Sequence, residues 1–197
     1  DTSTVSGGPL EPRYCYRPLQ FHFHWGSDDR WGSEHLIDGQ ASAAELHLVH
    51  WNSSLFKTPT EAAQDHQQRG LCVLGVFLKV GEHNEALDTF TSQIGSVDVC
   101  GKQLPLEAFN LRALLPNNIE DYWTYAGSLT TPPCSESVTW IVFRETREVS
   151  KSQMKALRSM HYLECHTSDC IEDNFRPPVP LGNRTLRSSF VMSTNED

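Results

Sequence analysis

Four stretches of the chain have the alternating or continuously apolar character of β-strands, and each is bounded by Gly, Pro, Ser or Asn clusters. They cover residues 19–25, 44–51, 71–80 and 138–144. The longest apolar run, residues 71–78, stops at Lys79, well short of the roughly 20 residues that a membrane-spanning helix needs. We therefore predict that these strands dominate the core and that no segment spans a membrane.

Helical signals are fewer and shorter. The strongest covers residues 150–161, where Ser150 and Gln153 have the spacing of a capping box. Side chains then recur at helical intervals at Met154, Leu157 and His161. A second set with helical spacing consists of Leu87, Phe90 and Ile94. Together with the strands, these signals predict a single β-dominated domain over residues 1–197, with peripheral helices and a loose polar start at residues 1–8.

Composition and charge narrow the function classes. The chain has 197 residues, 38% of them hydrophobic and 21% charged, which is typical of a globular protein rather than a disordered one. Lys and Arg number 16 against 25 Asp and Glu, a formal net charge of −9. Because phosphate binding depends on clustered cationic side chains and no basic run is present, this composition argues against a nucleic-acid-binding protein.

The cysteines do not decide between a reducing intracellular compartment and secretion. The six cysteines contain no CxxC pair, and Cys72 in its apolar run is most simply a buried free thiol. Two N-glycosylation sequons begin at Asn52 and Asn183, and they matter only in a secreted protein.

Two histidines share a face of the first predicted strand. The two-residue period puts Gln20, His22 and His24 on one side and the apolar residues on the other. A His-x-His pair on a strand is half of a plausible zinc site. Taken alone, the pair is read more simply as two histidines on the wetter face of an edge strand.

The second strand supplies a third candidate ligand. His47 shares its face with Glu45, a carboxylate suited to orient a liganding imidazole, and with Val49, suited to line a pocket, whereas His50 faces the other way. Three neutral histidines leave one position of a tetrahedral zinc ion open, which is the arrangement of a catalytic site. The chemistry favoured is that of zinc-bound hydroxide.

Several blocks of the sequence closely resemble the α-class carbonic anhydrases of animals. The first three contain the histidines and a Gly-Ser-Glu-His segment: they are residues 20–26, 32–35 and 44–51. Further blocks follow in the family's order: they are residues 71–80, 121–125, 127–133 and 174–178. These blocks are spread through most of the span from residue 7 to residue 190. The resemblance implies a mainly β fold, with a large, mostly antiparallel central sheet and short peripheral helices.

The resemblance also implies an activity, the reversible hydration of carbon dioxide to bicarbonate and a proton, with Zn²⁺ as cofactor and a part in pH regulation. Its metal ligands would be His22, His24 and His47. Thr130 would accept a hydrogen bond from the zinc hydroxide and donate one to Glu34, which orients the nucleophile. From local sequence alone, Thr130 is equally a turn residue before two prolines.

The family's pattern assigns roles to residues around these ligands. Gln20 would accept from His24, Glu45 from His47, and the backbone carbonyl of Asn174 from His22. An apolar wall for carbon dioxide would come from the substrate-pocket set Val49, Val73, Leu129, Thr131, Val138 and Trp140. His35 and His50 would be buried structural histidines.

The sequence departs from the family at its start. A full α-class domain has a substantial segment before residues 7–10, often carrying a proton-shuttle histidine, and no histidine precedes His22 here. The expected turnover is therefore low, with no proton shuttle. Cys134 lies where secreted relatives form a disulfide to that segment, and Cys15 is a possible substitute partner. Residues 130–142 resemble the cytosolic members of the family more closely, which slightly favours a cytoplasmic protein over the secreted alternative.

The expected partners are carbon dioxide and bicarbonate as substrates and sulfonamides or anions as inhibitors, with no nucleic acid and no membrane, for a monomeric enzyme. Two alternatives stand beside the enzyme: a catalytically poor, carbonic-anhydrase-like binding or matrix module, and an unstable fragment. The presence of all three histidines favours the enzyme.

Overall fold

The computed structural model describes residues 3–98, 100–106, 109–162 and 170–191. Within them, seven strands form one sheet. They are β1 (Tyr16–Trp25), β2 (Ala44–Asn52), β3 (Leu71–Val80), β4 (Tyr122–Gly127), β5 (Val138–Phe143), β6 (Arg147–Val149) and β7 (Arg187–Ser188).

The sheet is mixed. Its order is β1-β2-β3-β5-β4-β7, with β6 paired to the end of β3. The pairs β1–β2, β2–β3, β4–β5 and β4–β7 are antiparallel, whereas β5 and β6 both run parallel to β3. The predicted mainly β, mostly antiparallel fold is confirmed.

The four predicted strands are all present, with ends that differ from the prediction by at most three residues. The sequence analysis missed β4, β6 and β7. Strands β6 and β7 have three and two residues, too few to show a period. They exist because neighbouring strands supply their hydrogen-bond partners.

Alternation along the central strands divides the apolar side chains between two faces of the sheet. On one face, Leu46 and Leu48 of β2 join a core cluster that also holds Leu74 and Val76 of β3. On the opposite face, Val49 belongs to a second cluster of buried side chains that also holds Val73 and Trp140. The histidine-bearing face of β1 and β2 is the face of this second cluster.

Three short helices lie around the sheet: α1 (Pro59–Ala63), α2 (Glu85–Thr91) and α3 (Lys151–Arg158), with 3₁₀ turns at Ile94–Ser96 and Leu111–Leu114. The capping box of Ser150 and Gln153 is confirmed at the start of α3. The predicted helix ends at Arg158 rather than at residue 161, because His161 leaves the helix to form a β-bridge with Cys170. No helix in the described part of the chain is long and apolar enough to cross a membrane.

One residue near the start of the chain contacts the sheet. Residues 1–8 are predicted to be loose, and among the described residues 3–8 Val5 forms a β-bridge with Tyr16 through two backbone hydrogen bonds of 2.8 and 3.2 Å. The Val5 side chain is partly buried against the first core cluster. Val5 is therefore the residue that joins this polar segment to the edge of β1.

Gln153 joins the N-terminal ends of two helices. Its side chain is 3% exposed, donates to Asn84 O at 2.8 Å and accepts from the backbone N–H groups of Asn84 and Ser150, both at 3.1 Å. We expect Gln153→Ala to lower the free energy of unfolding by about 2 kcal/mol, because buried backbone groups lose their partners. Urea denaturation measures this loss. Lys151→Ala, an exposed position on the same helix, is the matched control, and equal midpoints for the two variants would contradict the prediction.

Candidate metal centre

Strand pairing brings the three predicted ligands together. His22 lies directly opposite His47 in the β1–β2 register, and His24 follows two residues later on the same face. The ring centroids of His22, His24 and His47 are 4.7 to 5.2 Å apart. One nitrogen from each ring lies within 4.8 Å of the other two, close enough for a single ion.

Hydrogen bonds determine which nitrogen each ring has available. His22 Nδ1 donates to Gln20 Oε1 at 2.8 Å, and His24 Nδ1 donates to the backbone carbonyl of Asn174 at 2.9 Å. His47 instead donates through Nε2 to Glu45 Oε1, also at 2.8 Å. Because these acceptors are oxygens, each bonded nitrogen carries the proton and the opposite nitrogen keeps a lone pair. The available atoms are therefore Nε2 of His22, Nε2 of His24 and Nδ1 of His47.

Two of the expected partners are exchanged. The sequence analysis assigned Gln20 to His24 and the Asn174 carbonyl to His22, and the structure has the reverse. Gln20 and His22 are consecutive residues of one strand face, so their side chains touch, whereas His24 lies a further two residues away. The Asn174 segment runs beside the end of β1, where its side chain also accepts from Trp25 N at 2.8 Å.

Glu45 is the hub behind the histidines. It is fully buried, and its Oε1 atom accepts from His47 Nε2 and from His35 Nδ1, at 2.8 and 2.6 Å. Its Oε2 atom accepts from the backbone N–H groups of Glu34 and His35, both at 2.9 Å. Gly75 on β3 leaves room for the carboxylate, since a Cβ there would lie 3.2 Å from Oε1.

The environment sets the charges of these groups. Burial, together with repulsion from the neighbouring histidines, lowers the pKa of His22 to about 3 and also lowers that of His24. Burial alone would raise the pKa of Glu45, but attraction to His35 and His47 and their hydrogen bonds outweigh it and hold the pKa well below its usual value. The lowered pKa values keep His22 and His24 neutral, the form in which histidine binds metals, while Glu45 stays ionised behind them.

One buried atom lacks any partner at the centre of this arrangement. His24 Nε2 is inaccessible to solvent and has no hydrogen-bond partner among the described residues. Leaving such an atom unpaired is costly unless something else satisfies it. Three imidazole lone pairs without a thiolate suit zinc, so the residues fit the metal that the resemblance implies. A second group, His35, Glu45 and His47, has suitable spacing, but its facing atoms are already bonded to one another.

Glu34 and Thr130 lie at the edge of the centre. Glu34 Oε1 accepts from Arg176 N at 2.8 Å, and Oε2 lies 3.9 Å from His47 Nδ1. That Oε2 atom is buried and unpartnered among the described residues, so the expected hydrogen bond from Thr130 is not formed here. Thr130 and Glu34 nevertheless line the same cavity of about 500 Å³, together with Trp140.

The residues predicted as an apolar wall form one cluster on the histidine-bearing face. Its buried members Val49, Val73, Val138 and Trp140 contact a partly buried Leu129. The Trp140 ring packs edge-on against His47, with 4.7 Å between centroids. Thr131 is exposed and lies outside this cluster.

The structure adds residues that the sequence analysis did not assign to the network. His35 Nε2 bonds Tyr125 Oη at 2.7 Å, which extends the Glu45 network to β4. Burial raises the pKa of Tyr125 above its usual range, so its hydroxyl stays protonated. The alternation of Trp123 and Tyr125 was the available signal. All five described cysteines are free thiols, so Cys15 and Cys134 form no disulfide, and Cys165 lies outside the described residues.

The chain matches one protein family model and several curated relatives. A model of the eukaryotic-type carbonic anhydrase family matches residues 1–190. Carbonic anhydrase 5B, mitochondrial, of Mus musculus is 47% identical over 191 residues, which cover 96% of this chain and 59% of the relative. Carbonic anhydrase 5A, mitochondrial, of Rattus norvegicus is also 47% identical over 191 residues, covering 96% and 61%. Carbonic anhydrase 7 of Mus musculus is 46% identical over 195 residues, covering 96% and 70%. The chain thus spans about six tenths of the length of the two mitochondrial relatives.

Proposed function

The chain belongs to the eukaryotic-type carbonic anhydrase family, and from that premise we propose that it catalyses the reversible hydration of carbon dioxide to bicarbonate and a proton. The observation that carries the proposal is the convergence of three imidazole lone pairs on one point, with the buried His24 Nε2 unpaired. His22, His24 and His47 would hold a zinc ion. When bound, zinc would supply the Lewis-acid chemistry that makes water nucleophilic near neutral pH.

The protein's own residues orient the three imidazole rings and place a carboxylate beside them. Gln20, the Asn174 carbonyl and Glu45 hold the three rings through their second nitrogens, which keeps the lone pairs aimed inward. The Glu34 carboxylate, held at Oε1 by a backbone N–H, presents its unpaired Oε2 as an acceptor for the hydroxyl of Thr130 or for water. Glu34 and Thr130 are the catalytic pair of the proposal.

The apolar wall provides the place for the substrate. Carbon dioxide is small and uncharged, so it gains from contact with apolar side chains beside the histidines rather than from charged anchors. Val49, Val73 and Trp140 supply that surface. Sulfonamides and small anions are the expected inhibitors, because they would compete for the same position.

Stopped-flow hydration of carbon dioxide on protein with measured zinc content tests the proposal. We expect about one zinc ion per chain, hydration above the buffer reaction, and inhibition by a sulfonamide. Tight zinc binding with hydration at background would instead support the binding or matrix module. A broad, uncooperative thermal transition would support an unstable fragment.

Thr130→Val separates the catalytic pair from the metal site. The substitution keeps the volume and removes the hydroxyl, so we expect zinc content to be unchanged and kcat/KM for hydration to fall by about a hundredfold. Thr139→Val is the control, because that hydroxyl donates to Gln68 O at 3.0 Å, outside the proposed site. Equal activity of the two variants would remove Thr130 from the mechanism.

A further inference from the structure

A cysteine and a histidine are in contact outside the metal centre. Cys170 Sγ lies 3.6 Å from His161 Nε2, and the two residues are paired in an antiparallel β-bridge. Both side chains are partly exposed. The thiol is therefore accessible to a small molecule while it touches a group that can accept its proton.

The backbone holds His161 from both sides. Its N–H donates to Asp98 O at 2.6 Å, and its carbonyl accepts from Cys100 N at 2.9 Å. On the side of Cys170, Ile171 N donates to Met160 O at 2.7 Å. The backbone of His161 is thus hydrogen-bonded to Asp98 and Cys100, and the neighbouring bond between Ile171 and Met160 keeps Cys170 beside it.

The carboxylate of Asp98 lies near His161. The Asp98 carboxylate accepts from Lys102 Nζ at 3.1 Å, and its pKa is lowered first by that hydrogen bond and also by the attraction of His161. Asp98 and His161 therefore attract each other when both are charged. The thiolate is the reactive form of cysteine, and the imidazole in contact with the Cys170 thiol can accept its proton.

The other described cysteines lack this arrangement. Cys72 is fully buried, and burial raises the pKa of its thiol to about 12. Cys100 is exposed, whereas Cys15 and Cys134 are partly exposed. Among the described cysteines, only Cys170 has its sulfur within hydrogen-bond distance of an imidazole.

We propose that Cys170 and His161 form a reactive thiol–imidazole pair that exchanges with small-molecule disulfides, so that Cys170 is a site of mixed-disulfide modification. His161 Nε2 takes the thiol proton, and the Cys170 sulfur attacks one sulfur of the disulfide. A new S–S bond forms as the old one breaks, and the departing thiolate receives the proton from His161. One thiol and one disulfide give one thiol and one disulfide, so no further oxidant is needed.

Incubation of the full chain with oxidised glutathione at neutral pH tests the site. Mass spectrometry follows the adduct at each cysteine, and fragment spectra are required because Cys165 and Cys170 share the tryptic peptide that follows Arg158. We expect Cys170 to react about tenfold faster than the exposed Cys100, and His161→Gln to abolish that advantage. His83→Gln is the matched control, since that imidazole bonds Asp88 and no thiol.

The reactivity of the buried Cys72 shows whether each variant is folded. Cys72 must stay unmodified in any variant that is folded, because its thiol is reached only on unfolding. If His161→Gln fails this criterion, His161→Asn takes its place. Equal rates at Cys170 and Cys100, an unchanged rate in the folded His161 variant, or modification at Cys165 alone would each overturn the proposal.

Discussion

Replacing His47 by alanine is expected to reduce zinc affinity by at least about a hundredfold, because the variant would keep only two of the three proposed ligands. The side chain is 1% exposed and supplies the Nδ1 lone pair that faces the other two histidines. Zinc content after gel filtration measures the loss directly. Carbon dioxide hydration should then fall to the rate of the buffer reaction.

His50→Ala is the matched control for this variant. His50 lies on the same strand and is equally buried, but its ring faces the other side of the sheet and bonds Leu48 O at 3.0 Å. Both variants remove a buried imidazole and leave a cavity, so both should lose stability. Only His47→Ala should lose zinc. Equal zinc loss in the two would mean that metal binding follows general stability rather than a His47 bond.

Glu45→Gln is expected to produce the second largest effect. The carboxylate accepts four hydrogen bonds, two at each oxygen, and an amide has only one oxygen with which to accept them. If the amide oxygen serves His35 and His47, the NH₂ group faces the backbone N–H groups of Glu34 and His35. We expect a loss of about 3 kcal/mol in the free energy of unfolding of the zinc-free protein, measured by urea denaturation.

The same variant should weaken zinc binding by about tenfold to a hundredfold, because the partner that orients His47 is altered. Glu148→Gln is the control, since that carboxylate accepts from Lys79 Nζ at 3.3 Å and from Glu82 N at 3.1 Å on the surface. Its loss of stability should be a small fraction of that at Glu45. Glu45→Gln with normal stability and normal zinc affinity would show that the buried charge is not needed at this position.

Much of the fold could be predicted where a local pattern is long enough to repeat. The strands β1, β2, β3 and β5 have six to ten residues, and their alternation or apolar continuity is visible in the sequence. The capping box at Ser150 was predictable for a similar reason, since its hydrogen bonds join residues three apart. The two-residue strand β7 was not, because its only reason to be extended is its partner β4, more than 60 residues away.

The metal centre was also predictable only in part. Strand periodicity placed His22 and His24 on one face and selected His47 over His50, and the structure brings those three together. The assignment of partners was wrong for Gln20 and Asn174, although the hydrogen bond between Glu45 and His47 was expected and is present. Contacts between residues two apart on a strand follow from its geometry, but the identity of the Asn174 partner depends on how a distant segment lies against β1.

The amino-acid sequence by itself determined the family resemblance, four of the seven strands and the faces on which the histidines lie, because a strand's two-residue period is a property of the local backbone. Only the tertiary structure decided which nitrogen of each ring remains available, which buried oxygen lacks a partner, and that Cys170 meets His161. The available nitrogen of His24 and the bonded oxygen of Glu34 depend on Asn174 and Arg176, which are about 140 to 150 positions away in the chain and are brought near by packing of the sheet. Local periodicity contains no information about such distances, and hydrogen-bond partners of buried groups are chosen only when the fold closes around them.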